Sequence, residues 1–222
     1  MISFAVIAEG LTDQIVIENI LFGLFQGSET EPVVNYIQPL PGAGAHAGWS
    51  QVFKSLQERR DHIGALQTND YLVIHIDTDV QEEPGFDVPR RRGDQELSIE
   101  QRVSGVIERL QKEMDPEFLT AYSRRLLFAI AVDSIECWLL PLLVNDGKKA
   151  AKTTGCFAAA NDALRKENRD GLGTEKSKYP RAYEAASMDF SKRKVLIKHH
   201  QENPSLEIFV KRLLDLEIGV WT

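Results

Sequence analysis

Cysteine is nearly absent from this chain, with two in 222 residues, Cys137 and Cys156. That is too few for a disulfide-stapled scaffold, and nothing around them has zinc-finger spacing. One lies in an apolar helical stretch and the other in a loop-like segment, so buried or free thiols in a reducing cytoplasm are expected rather than a disulfide. Long apolar runs are missing too. The best candidate, residues 126–144, is broken by Asp133 and Glu136 and falls short of the roughly 18 uninterrupted residues of a membrane span. The first residues carry neither a basic region nor a small-residue cleavage site, so no signal peptide is expected and the cytoplasm is the expected location. Positive charge is in deficit, 26 Lys and Arg against 33 Asp and Glu. This argues against a protein that coats nucleic acid uniformly. No internal repeat is visible, and neither the Gly-Lys-Ser ending of a P-loop nor the six-residue dinucleotide fingerprint occurs.

What is present begins with two short apolar runs that stop in acids. Residues 2–8 have no polar face, which argues for a strand covered by helices on both sides, as in a parallel α/β sheet. Glu9 follows at its end, Gly10 permits a tight turn, and Thr12 or Asp13 can cap the next helix. Ile15, Val16, Ile20, Leu21 and Leu24 give that helix an apolar stripe. The second run, residues 71–76, ends at Asp77 and Asp79, which share a face if the strand continues. Val33 to Ile37 and Leu126 to Val132 read as further strands, separated by amphipathic helices over residues 49–66 and 99–114. Alternating strands and helices predict right-handed crossovers, a mostly parallel four-stranded sheet, and a crevice at its carboxyl edge.

The run Glu9-Gly10-x-Thr12-Asp13 after one strand, with Asp77-x-Asp79 after a later one, resembles the Toprim fold of topoisomerases, primases, OLD-family nucleases and small bacterial Toprim-like proteins. The nuclease-like branch is the nearest. Glu136-Cys137-Trp138-Leu139-Leu140 also resembles a Glu-x-Trp-Leu-Leu element of small Toprim-like proteins associated with phage defence. The resemblance covers about the first two thirds of the chain. It implies a Toprim-like Rossmannoid core over residues 1–147 and a helical extension over 148–222. It also implies Mg²⁺ or Mn²⁺ held by Glu9, Asp77 and Asp79, with Asp13 and Glu136 as further ligands or supporting groups, and Glu9 acting as an acid or base. A late lysine, Lys176 or Lys178, would contact phosphate. The donor chemistry agrees, because clustered carboxylates suit hard cations better than zinc.

Each of these residues has a structural alternative. Asp13 can serve only as a cap, and Asp133 and Ser134 read as the start of the next helix. Glu136 sits in an apolar helix and requires a partner, a metal or an arginine. Trp138 reads as core, and His75, inside a strand, as a satisfied core histidine. Tyr179 would be the nucleophile of a topoisomerase, but the chain has no room for that enzyme's DNA gate. The glycine-rich stretch 42–48 with His46 reads as a mobile rim loop or a nucleotide cradle. Arg90, Arg91 and Arg92 lie in a charged insertion, residues 81–96, and either grip a polyanion or solubilise a loop. Residues 148–198 hold 13 Lys and Arg against 6 Asp and Glu, a local +7 that leaves −14 elsewhere. The expectation is a nuclease or nickase acting on DNA before RNA, in bacterial defence. The alternatives are a Toprim-fold effector that needs a partner ATPase, or a metal-dependent enzyme on a small nucleotide.

Overall fold

The structure, a computed structural model, describes residues 1–40 and 48–216. Residues 41–47, which hold most of the glycine-rich stretch and His46, lie outside the described residues. In chain order the elements are β1 (Ile2–Ile7), α1 (Leu11–Phe25), β2 (Pro32–Gln38), α2 (Trp49–Gln57), α3 (Arg59–Thr68) and β3 (Tyr71–Asp77). A short ladder of β4 (Arg91–Arg92) and β5 (Gln95–Glu96) precedes α4 (Ile99–Gln111), α5 (Pro116–Tyr122), β6 (Leu126–Ala131) and α6 (Glu136–Leu143). There follow α7 (Gly147–Ala150), α8 (Cys156–Lys166), a hairpin of β7 (Gly173–Thr174) and β8 (Ser177–Lys178), then α9 (Pro180–Ser187), α10 (Arg193–His199) and α11 (Pro204–Leu214).

Four strands form a parallel sheet in the order β2-β1-β3-β6, flanked by helices in a Rossmann-like α/β arrangement with a helical C-terminal part. The alternation of side chains explains the two cores. Phe4, Val6, Val73, Leu127 and Ala129 face one side, where α1, α6 and the C-terminal helices cover them. Ala5, Ile7, Leu72, Ile74, Ile76 and Ile130 face the other, under residues of α2 to α5. The helical extension is therefore part of the first core, with Leu206, Phe209 and Leu213 in the same cluster as Phe4 and Val6. Its approach is close: a Cβ at Gly23 of α1 would stand 1.8 Å from the carbonyl oxygen of Phe190.

Several local expectations are corrected. The helix expected over 49–66 is two helices, because Glu58 takes an extended backbone between them. The insertion after β3 is anchored rather than a free surface loop. Phe86 is fully buried, and Gln81 is buried with its amide donating to the carbonyls of Val88 and Pro89. The last helix starts at Pro204 under an Asn203 cap. The expectation of free thiols is also overturned. Cys156 is the first residue of α8, and packing of α8 on α6 brings its sulfur onto that of Cys137 in a disulfide.

Candidate functional site

The strand order reverses between β1 and β3, so the crevice predicted for open α/β sheets opens where Glu9 and Asp77 emerge. The Asp77 backbone N–H donates to Glu9 Oε1 at 2.8 Å, which ties the two strand ends together. Gly10 is the N-cap of α1 and offers no side chain. Asp13, in the first turn, turns its buried carboxylate back to accept from the Gly10 amide and the Thr12 hydroxyl. Asp13 thus does the work of a cap while also facing the site.

A cleft of about 470 Å³ is lined by Glu9, Asp77, Asp79, Asp133, Glu136 and Lys178, among others. Asp79 stands at the exposed rim, since β3 ends at Asp77 and the strict alternation that would align the two acids stops there. Glu136, on α6, is almost wholly buried, and the side chains that meet it are a lysine and a tyrosine. Lys178 Nζ lies 2.7 Å from Glu136 Oε1, and the Tyr183 hydroxyl donates to the same oxygen. Lys178 comes from the β7–β8 hairpin, a turn that Gly173 makes possible at φ +102°, where a Cβ would meet the Ser177 carbonyl oxygen at 2.3 Å. Of the two candidate lysines, Lys178 is the one that lines the cleft. Lys176 lies exposed at the hairpin tip.

Crowding of carboxylates in a dry site resists ionisation. Burial, then the charge of Asp13, pushes Glu9 up to about 8. Burial raises Asp13 to about 6 against the pull of Lys178. Asp77 is raised well above the carboxylate range by burial, then by Asp13 and Glu9. Glu136 is the exception. Burial opposes its charge, but Lys178 and the hydrogen bonds from Lys178, Ser134 and Tyr183 win, and its carboxyl is lowered. Lys178 in turn is desolvated, yet Asp13, Glu136 and Asp77 raise it above its ordinary value.

His75 is not the satisfied core histidine the sequence suggests. It is fully buried, with Nε2 at 3.4 Å from Asp77 Oδ1 and Nδ1 at 3.9 Å from Asp13 Oδ2, and neither contact has the geometry of a hydrogen bond. Burial, then Lys178, holds it down to about 3, so it is neutral. Both ring nitrogens and Asp77 Oδ1 are without a hydrogen-bond partner among the described residues. Trp138 is core, as expected, stacked on Phe209 and donating to Ser205 Oγ at 2.8 Å.

Two groups were missed in the sequence. Asp133 lines the cleft, at a left-handed φ of +70° that a non-glycine residue adopts only under constraint. Its carboxylate accepts from the amides of Gly155 and Cys156, so it caps α8 rather than starting α6. The signal was available, because β6 stops in an acid as β3 does. Tyr183 had no signal, since only α9 packing brings it under Glu136. The arginine run divides. Arg90 Nη2 donates to the carbonyls of Thr78 and Asp79, which braces the loop after β3, whereas Arg91 and Arg92 are exposed on β4.

The oxygen donors Glu9, Asp13, Asp77, Asp79 and Glu136 suit Mg²⁺ or Mn²⁺ in kind, and Asp77 Oδ1 makes no hydrogen bond among the described residues. Their spacing does not yet form a coordination shell. Among the described residues, the three-residue set whose donor atoms come within 4.8 Å of one another is Asp133, Cys137 and Cys156. The disulfide removes its two sulfurs from that role. Fold and site together define a Rossmann-like α/β protein with an acid cluster at its switch point. Comparison with protein-family models, curated proteins and solved structures gave no match. No helix of the described residues is long and apolar enough to cross a membrane.

Proposed function

We propose that this chain is a divalent-metal-dependent phosphodiesterase of Toprim-like type, a nuclease or nickase acting on DNA before RNA in bacterial defence, and that it works in the cytoplasm. One observation carries the reading. Five carboxylates and one lysine meet at the switch point, and the buried Asp77 Oδ1 among them has no hydrogen-bond partner. A buried carboxylate oxygen left without a hydrogen bond calls for an explanation, and a bound cation is one.

In this reading Glu9, Asp13 and Asp77 hold Mg²⁺ or Mn²⁺, with Asp79 at the rim. The ion would polarise a phosphoryl oxygen and lower the pKa of water. Glu9, raised to about 8, is poised to hold or give up a proton near neutral pH. Lys178 supplies positive charge to a phosphate, Tyr183 holds Glu136, and exposed Arg91 and Arg92 offer backbone contacts to nucleic acid. The cytoplasmic placement runs against the Cys137–Cys156 bond, which a reducing compartment would open.

Calorimetry with Mn²⁺ on the wild type and on Asp77→Ala/Asp79→Ala, followed by plasmid nicking on the same samples, tests the proposal. Binding and nicking that vanish together in a folded variant support it. Unchanged nicking would sink it, and binding without nicking in the wild type would favour the effector that needs a partner ATPase.

A further inference from the structure

The acid cluster already contains a cation. The Lys178 ammonium contacts Glu136 at 2.7 Å and lies 5.7 Å from the centre of the Tyr183 ring. Its charge also bears on Glu9, Asp13, Asp77 and Asp79, the same acids that would hold a metal. No three of these carboxylates have been drawn to within 4.8 Å of one another. Glu9, Asp77, Asp79 and Glu136 share one cleft with the tethered ammonium, which is paired with Glu136, and they are not gathered to the roughly 2.0–2.6 Å distances of a divalent-ion shell. The tether is slight. Lys178 belongs to a two-residue strand of a hairpin whose other strand is Gly173–Thr174, and the residues between them are exposed. Its side chain is 29% exposed, so a path outward exists.

We infer that Lys178 and a divalent ion compete for the acid cluster: Lys178 holds the cation position in the metal-free protein, and an entering ion displaces it toward the mouth of the cleft, where a substrate phosphate would lie. This rests on the metal-dependent reading above and adds its regulation. Two cations at this spacing repel in a medium of low dielectric, so their occupancies are antagonistic. A phosphate that draws Lys178 outward would favour metal entry, and by linkage the metal would favour the phosphate. The hairpin then keeps the site closed to metal until substrate arrives.

The test needs no catalysis. Mn²⁺ affinity is measured by calorimetry on the wild type, Lys178→Met and Lys178→Gln. The glutamine amide still donates to Glu136, so this variant is read if the methionine leaves the buried carboxylate alone and fails to fold. Removing the ammonium is expected to tighten Mn²⁺ binding tenfold or more. In the wild type, acetylation of Lys178 followed by peptide mass spectrometry should speed up severalfold when Mn²⁺ is added, with exposed Lys176 as the unchanged internal reference. Equal or weaker Mn²⁺ binding in both charge-removed variants, or Lys178 labelling that Mn²⁺ leaves unchanged or slows, overturns the competition and leaves the metal-centre reading standing. Absence of Mn²⁺ binding in all three proteins overturns both.

Discussion

Two buried polar clusters sit within a few residues of each other at the end of β3, and they are built on opposite principles. The first holds Thr78, Gln81 and Arg102. Arg102 Nη2 donates to Thr78 Oγ1 at 3.0 Å and to Gln81 Oε1 at 2.8 Å, and Nε donates to Gln81 as well. Thr78 Oγ1 also accepts from the Asp133 amide, while the Gln81 amide closes on the insertion. The second holds Asp77, His75, Asp13 and Glu9, where burial raises three carboxyls and orphans the His75 nitrogens and Asp77 Oδ1. A buried polar network that saturates its bonds rigidifies, whereas one left incomplete costs stability. The first cluster has its bonds closed and the second has them open, and the proposed metal would complete the second.

The comparison breaks first on function. Glu9→Gln and Asp77→Asn should lower cleavage by roughly 100-fold or more and remove Mn²⁺ binding, yet leave thermal stability unchanged or raised, because the amides fix the neutral form that burial already favours. A matching loss of stability in a melting curve would return this cluster to the structural class. Arg102→Met should behave in the opposite way. It strips charge-assisted hydrogen bonds from Thr78 and Gln81, at about 2–3 kcal/mol, lowering Tm by roughly 5–10 °C with little change in Mn²⁺ affinity. If Arg102→Met melts like the wild type, the two clusters do not differ as described.

Acidity separates them more finely. Glu9, Asp13 and Asp77 have folded-state values above their ordinary ones, so the stability linked to their protonation is present at pH 4–5 and is lost as pH rises through about 6 and then about 8. Metal-free protein should therefore show a falling Tm from pH 5 to pH 9. Saturating Mn²⁺ should flatten that fall, because the ion favours the ionised acids. A Tm that climbs over this range would contradict the assigned strain. The smallest expected effect lies outside both clusters. Arg91→Ala/Arg92→Ala should weaken oligonucleotide binding a few-fold and reduce the salt slope by about one to two, whereas Arg90→Ala should chiefly destabilise the loop after β3. Filter binding across a salt series, beside a melt, distinguishes them.

The acids of the strand ends were legible because the code behind them is local. Apolar runs at residues 2–8 and 71–76 are too short for helices and too apolar for an exposed sheet, so they fix buried parallel strands. The residue after such a strand must emerge at the sheet edge, which places Glu9 and Asp77. The helical stripe after Glu9, the core role of Trp138 and the four-stranded α/β architecture follow from the same periodicities. Those readings fail where partners come from far along the chain. Nothing local says that Lys178 rather than Lys176 reaches Glu136, that Tyr183 closes on the same oxygen, or that Cys156 meets Cys137. Each depends on how α8, the hairpin and α9 settle on the face formed by β1, β3, α1 and α6. Arg90 likewise turned inward because folding of the insertion put carbonyls within its reach. Periodicity determines which side of a strand or helix is buried. Only the packing of elements distant in sequence, which seats Lys178 of the hairpin beside Glu136 of α6 in a cleft shared with Glu9 and Asp77, decides which charges must share the buried space.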